Sequence, residues 1–426
     1  MKKIKIAGIS FNKVSWKNLL FNKTMFIAYL FLAFGFVGIF EVFNERYFGD
    51  FVSAGDVAIN PGTREMALAL KKAVFSQVSE ISRESPWTLY IVNYMYLIYT
   101  GSGIIFLIAL GEIVGFKMIA QTAAGFMAFG LAMVIGGLFT IAMDLNLLGM
   151  HYMILSPQFG AGMWLMLPLY LIYIPFVIFE IYLLTTNKTE MARKIAYIVL
   201  FLSVGVDIVE YVIQARLFNM NTARHLWTAY PFLTLYFIIS AFVASLGVMG
   251  LFSYFVFKPT LRERYHRLIE AIRKTSLVFI LLLAAYEAIA YLAIDKEWAF
   301  LILLGPFKWW FFLGYVTIGL VIPFFLMLRE SRDMLTVIAS VFMIVGTYIG
   351  RYLFVYGGNI YPMSNRFGSG FEKYAEYDAV REYIYDAPHM SEALIVLGSF
   401  GVILAIYKLS TTLFVSFHSM RELLKK

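Results

Sequence analysis

The chain has 426 residues, 61% hydrophobic and only 15% charged, whereas about a quarter of residues are charged in soluble domains, so the bilayer is its solvent. Its formal charge of +8 does not argue for nucleic acid, because the basic residues sit in short connections between apolar runs, where the positive-inside bias accounts for them. With no cysteine the chain holds neither a disulfide nor a thiolate-ligated iron–sulfur cluster, so any such cluster belongs to a partner.

Six lysines, Lys2, Lys3, Lys5, Lys13, Lys17 and Lys23, precede the first long apolar run, which reads as a retained signal-anchor helix. Run length predicts an all-α integral membrane protein with about ten spans. They fall near Met25–Phe43, Trp87–Leu110, Ile119–Met143, Met163–Leu184, Ile195–Gln214, Tyr230–Phe257, Ser276–Ile294, Lys308–Leu328, Leu335–Tyr356 and Met390–Ser416. Lysine and arginine on alternate sides divide about two to one in favour of the N-terminal side, anchored by the basic connection Lys258–Lys274. Both termini are therefore expected in the cytoplasm of a multi-pass protein of the cell membrane. The long connections Asn44–Pro86 and Gly357–His389 then lie outside, either as solvated loops or as a docking platform, with Glu65–Ile81 a candidate surface helix.

A few of the spans carry acid or base well inside the hydrocarbon, at Glu180, Asp207, Glu210, Glu287, Lys308 and Arg351. An uncompensated charge there costs at least a few kcal/mol, so each is a place to look for function. On the fifth span Ser203, Asp207, Glu210 and Gln214 recur at steps of four, three and four and share one face. That stripe must face protein or water. It reads either as a proton path through Asp207 and Glu210, which Glu180 on the fourth span extends, or as a polar network that locks helix packing. Glu287, Lys308 and Arg351 lie at matching depth in the second half, where mutual neutralisation in a salt bridge is the expectation. Gly101, Gly103, Gly130, Gly136, Gly137, Gly247 and Gly250 fit close helix contacts, and Pro168, Pro175 and Pro323 are expected to kink their helices. No histidine among His151, His225, His266, His389 and His418 lies in mid-span and no spacing pairs two on one face, so neither membrane haem nor a metal site is expected.

Trp87-Thr-Leu-Tyr-Ile-Val-Asn93-Tyr-Met-Tyr running on to Gly101-Ser102-Gly103, His151-Tyr-Met-Ile-Leu-Ser-Pro157-Gln-Phe with Met163-Trp164, and Gly350-Arg351-Tyr-Leu-Phe-Val-Tyr-Gly-Gly-Asn359 come in the order and on the membrane side of a known pattern. The chain resembles the NrfD-like family of polysulfide reductase membrane subunits (the PsrC type), and its ten spans resemble the longer, DsrP-type branch. The resemblance implies two four-helix bundles side by side, spans two to five and six to nine, with the first and last spans peripheral. It also implies a quinone site near the outer face, menaquinone or another quinone, and an extrinsic ferredoxin-like iron–sulfur subunit beside further redox subunits. Residues 1–86 then carry the first span and an outer loop, 87–216 the first bundle with the quinone site, 217–356 the second bundle, and 357–426 the outer loop and last span. Several relatives carry a histidine in the first core helix near the quinone, whereas this chain has Gly101-Ser102-Gly103 and none in that helix.

Trp87, Tyr90, Asn93 and Tyr94 fall close to one face, with Trp164 at the same depth. Aromatic rings suit a quinone headgroup and an amide its carbonyl oxygen, although tryptophan and tyrosine also mark membrane interfaces. Asn93 is the strongest single candidate, and His151 is either a protonation partner or an ordinary interfacial histidine. The resulting expectation is a quinone-interacting membrane subunit of a respiratory oxidoreductase that exchanges electrons with the iron–sulfur subunit, with proton translocation as a further capacity. A proton- or ion-coupled secondary transporter is the alternative from another class, for which matching broken helices are lacking, and a purely structural anchor is a third.

Overall fold

The computed structural model describes residues 3–6, 9–12, 16–43, 87–114, 117–145, 155–186, 190–221, 225–261, 264–294, 302–329, 333–359 and 388–413. Helices dominate because a segment inside hydrocarbon must satisfy its backbone hydrogen bonds internally. Strands Lys3–Ile6 (β1) and Ile9–Asn12 (β2) form a short antiparallel ribbon, with Lys3 opposite Asn12, before the membrane-type helices begin.

Among the described residues, ten helices are long and apolar enough to cross a membrane, making this a multi-pass membrane protein. A short helix α1 (Trp16–Leu20) leads into α2 (Lys23–Phe43), followed by α3 (Leu89–Val114), α4 (Lys117–Asp144), α5 (Gly162–Thr186) and α6 (Glu190–Asn219). A second short helix, α7 (His225–Ala229), precedes α8 (Leu233–Phe252), which continues through a wide-turned π-helical stretch, Ser253–Phe257, to Leu261. Then come α9 (Tyr265–Ala293), α10, α11 (Asp333–Asn359) and α12 (Met390–Leu413). Helix α10 is π-helical over Trp310–Val321 and α-helical over Ile322–Leu328, with Pro323 just after the change of winding. Pro168 and Pro175 lie inside α5. Run length could foresee the helix but not this change of winding.

Each of α3, α4, α5 and α6 touches the next and α6 closes back on α3, and α8, α9, α10 and α11 form a second ring in the same way. The rings meet where α3 packs on α8 and α11, and where α6 reaches α8. Helices α2 and α12 pack on each other, and α12 also packs on α4. Small residues allow these approaches. A Cβ added at Gly101 would stand 2.5 Å from the carbonyl oxygen of Gly130, and one at Gly35 2.7 Å from the Cα of Gly398. Phenylalanines such as Phe26, Phe36, Phe201 and Phe325 point outward, as a lipid-facing surface requires.

Aromatic rings fill the seam between the rings of helices. Trp227 of α7 is fully buried, lies 4.7 Å from the Trp87 ring and 5.2 Å from that of Phe218, and donates its indole N–H to the Phe354 carbonyl at 2.8 Å. The Asn359 amide, closing α11, donates to the Trp87 carbonyl at the start of α3 at 2.5 Å, tying the two bundles at this end.

Candidate functional site

A cavity of about 260 Å³ opens where α3 and α5 begin and α4 and α6 end. Its walls are mostly apolar, from Ile91 and Met95 on α3, Leu138 and Ile141 on α4, Met166 and Leu171 on α5, and Leu217 on α6. Leu171 is 67% exposed, so this wall of the cavity lies at the outer surface of the helix ring. Trp87 forms one wall and Asp144 lies at the α4 end, while Tyr94, Tyr170 and Gln214 supply polar groups.

Those three form one hydrogen-bonded cluster. The Gln214 amide donates to the Tyr94 hydroxyl at 2.7 Å and to the Tyr170 hydroxyl at 3.2 Å, and Tyr170 donates its own O–H to Glu210 at 2.8 Å. Tyr94 and Tyr170 stand 3.5 Å apart, a long hydrogen bond in which Tyr94 is the available donor because the Tyr170 hydrogen goes to Glu210. All four side chains are buried.

Below this cluster the polar groups continue along the α5–α6 contact. Tyr173 donates to Asp207 at 2.9 Å and Ser203 donates to Glu180 at 3.2 Å. Asp207 is within electrostatic reach of both Glu210 and Glu180, and Glu180 of Glu112 near the end of α3. Each of Glu210, Asp207 and Glu180 has one oxygen bonded and the other without a protein partner, as does Glu112 in its buried oxygen. From Gln214 to Ser203 the stripe descends about 16 Å along α6, roughly half the hydrocarbon thickness. Glu180 and Glu112 carry it towards the far end.

The α6 face therefore assembles as its spacing required. Tyr170 and Tyr173, three apart on α5, were not singled out from sequence, since a tyrosine in an apolar helix carries no signal of what it faces. Glu112 lies beyond the predicted end of its span at Leu110, because the helix continues about one turn further, to Val114.

The residues expected together on α3 are divided. Trp87 and Tyr94 line the cavity, whereas Asn93, one residue and roughly 100° round the helix from Tyr94, faces α4 and α12. The Asn93 amide donates to Thr140 at 2.9 Å and to Ser399 at 3.1 Å, with its carbonyl oxygen unpartnered. Tyr90 packs away from the cavity with Val42, Met143 and Ile395. Trp164 packs edge-on against Phe159 at 4.7 Å and is not among the cavity-lining residues. His151 lies outside the described residues, as does the candidate helix Glu65–Ile81.

The expected salt bridge among Glu287, Lys308 and Arg351 does not form. Lys308 is exposed at the start of α10 with its ammonium 5.6 Å from the Trp309 ring, because the helix begins there and not above it. Glu287 instead accepts from Tyr315 at 2.7 Å, and Arg351 donates to Ser240 at 2.7 Å among the rings of Tyr99, Tyr236 and Phe237. Among the described residues, no group of three or more His, Asp or Glu converges as metal ligands would.

Comparison with known proteins bears on this architecture directly. The family model described as "Polysulphide reductase, NrfD" matches residues 77–362, two thirds of the chain, and covers both rings of helices, the cavity and the α6 stripe. No curated protein compared with the chain matches it. Members of the matched family are in general quinone-interacting membrane subunits of oxidoreductases that work with an iron–sulfur subunit. With both helix rings inside the matched region, the chain belongs to the NrfD (polysulphide reductase) family.

Proposed function

We propose that this chain receives a membrane quinone in the cavity between α3, α4, α5 and α6 and moves protons along the α5–α6 ladder within a respiratory oxidoreductase. The observation that carries the reading is the continuity of the two features. The hydroxyl that meets the cavity, Tyr170, is the donor to the first buried carboxylate of the ladder, Glu210.

The cavity suits a quinone headgroup: its volume approaches that of small-ligand pockets, its walls are apolar and its polar groups converge from one side. A bound quinone supplies paired electron and proton exchange. The chain supplies position and protonic contact. Gln214 holds both phenols by donating to them, so Tyr94 can direct its O–H at a carbonyl oxygen in the cavity while Trp87 and the aliphatic walls hold the ring plane. Tyr170 can pass its hydrogen to Glu210 and take a replacement from the cavity side, which leaves the phenol unchanged and one proton deeper in the protein. Asp207, Glu180 and Glu112 continue the series, with each unpartnered carboxylate oxygen available to the next donor. With no cysteine in the chain, electrons pass to a partner, for which an extrinsic ferredoxin-like iron–sulfur subunit at the cavity end is the proposed acceptor or donor. The distribution of basic residues supports cytoplasmic termini, and that end would then be the outer one. The quinone is proposed as menaquinone, and the ten spans support the DsrP-type branch of the family.

The test is binding of a quinone analogue to the full chain in lipid nanodiscs, followed by quenching of tryptophan fluorescence. Tyr94→Phe removes one neutral hydrogen bond, worth about 0.5–1.5 kcal/mol, so affinity is expected to fall about 2- to 10-fold. Leu171→Trp, at the exposed wall, is expected to abolish binding. Wild-type affinity in both variants would remove the cavity from the mechanism.

A further inference from the structure

Helix α7 and the start of α8 lie at the cavity end, beside Trp87, so α8 finishes and α9 begins at the opposite end of the molecule. There the exposed apolar stripes of both helices run into basic side chains. On α9 the exposed Val278, Leu281 and Leu292 share one side of the helix, and the exposed Lys274 and Arg267 continue that side towards its start. Arg267 and Lys274 are seven residues apart, two turns, so they stand about 10 Å from each other along one face. On α8 the exposed Phe255 is followed three residues on by the exposed Lys258, whose ammonium lies 4.3 Å from the Tyr254 ring.

The described acids beside these cations are already engaged. Glu270 accepts from Arg273 through both oxygens, at 2.7 and 2.8 Å, and Arg273 is buried and held further by donating to the Met327 carbonyl of α10 at 2.6 Å. Lys274 reaches the same carboxylate only at 3.4 Å, with its side chain 68% exposed. Asp333, which opens α11, lies 2.7 Å from Nδ1 of His266. One carboxylate between Arg273 and Lys274 leaves a positive charge over, and among the described residues Arg267 and Lys258 form no ion pair. The positive-inside bias explains why lysine and arginine gather at one end. It does not explain why two of them stand in line with an exposed apolar stripe while the neighbouring acid is taken up by a buried arginine.

We propose that the basic end of α8 and α9 is a binding site for an anionic phospholipid, with its phosphodiester held by Arg267, Lys274 and Lys258 and an acyl chain along Val278 and Leu281. The guanidinium fork of Arg267 can meet two phosphate oxygens at once. Lys274 can lay its aliphatic stem on the apolar stripe while its ammonium reaches the headgroup. The occupant is a lipid and not a free phosphate, because the cations stand at the head of an apolar stripe that a soluble ion would leave uncovered. It is anionic because a zwitterionic headgroup brings its own ammonium, which these cations repel, whereas clustered basic residues beside a membrane helix attract acidic headgroups. The site stands apart from the cavity and the ladder and does not depend on either.

The experiment is native mass spectrometry of the full chain released from nanodiscs that hold phosphatidylglycerol and phosphatidylcholine in equal amounts. The chain is expected to retain phosphatidylglycerol over phosphatidylcholine by about fivefold or more, the effect of a basic side chain at an anionic surface. Arg267→Gln combined with Lys274→Gln is expected to abolish that preference. The swap Arg267→Lys with Lys274→Arg keeps both charges and is expected to preserve it. Lys308→Gln, which removes an exposed cation at the cavity end, is expected to leave it unchanged. Equal retention of the two lipids, or an undiminished preference in the glutamine pair, overturns the proposal. So does an equal loss in Lys308→Gln, which would reduce the preference to overall charge. Glycerol 3-phosphate added in excess separates the sources: it is expected to leave the lipid in place, and displacement by it would make the site one for a soluble phosphate and overturn the lipid assignment.

Discussion

In the first bundle three buried carboxylates are each met by a hydroxyl from a neighbouring residue, and the series ends on a cavity; in the second, one carboxylate is met by one phenol, and an arginine is packed separately among rings. Both halves use the same elements, acid, tyrosine and serine in apolar helices. What separates them is what the polar groups lead to. A row of exchangeable oxygens that reaches a cavity can deliver protons to a ligand, whereas a single acid–phenol pair hands its proton no further.

The largest expected effect breaks the seam on which both halves depend. Trp227→Ala removes a fully buried indole packed on Trp87, Phe218 and Phe354, and about 3–5 kcal/mol of stability is expected to go with it. Thermal unfolding in detergent would show one lowered transition for the whole chain. Two transitions, only one of them shifted, would mean that the bundles do not share a core.

Paired tyrosine changes sharpen the contrast between the halves. Tyr170→Phe and Tyr315→Phe each deprive a buried carboxylate of its donor, at about 1–3 kcal/mol. Only the first should also weaken binding of the quinone analogue. Equal loss of binding in both would place the second bundle in the ligand site.

For Asp207 the two roles separate by shape. Asp207→Asn keeps the acceptor for Tyr173 and removes the exchangeable proton, so proton movement per electron should fall in the reconstituted complex while assembly persists. Asp207→Leu should harm assembly as well. A wild-type proton-to-electron ratio in Asp207→Asn would make the stripe a packing feature.

The smallest effect on the site is expected at Asn93. Asn93→Leu loses the hydrogen bonds to Thr140 and Ser399 and should loosen α12, at about 1 kcal/mol for the bonds replaced, with quinone-analogue affinity unchanged. A drop in affinity comparable to that of Tyr94→Phe would return Asn93 to the ligand site.

Run length and hydropathy alone determined the ten spans, because hydrocarbon admits only segments that satisfy their own backbone, and such segments are continuous in sequence. Helical periodicity likewise determined that Ser203, Asp207, Glu210 and Gln214 share a face, since that relation is internal to α6. What each face meets was decided only by the tertiary structure. Nothing in the order of residues tells that Tyr170 and Tyr173 project at Glu210 and Asp207, that Asn93 turns to α12 while Tyr94 turns to the cavity, or that Lys308 stands exposed beside Trp309 while Arg351 is enclosed by rings. In an apolar helix almost every face can be buried, so the apolar pattern that orients a helix in water is nearly silent here, and the orientation comes instead from where glycines let helices approach and where buried polar groups find one another.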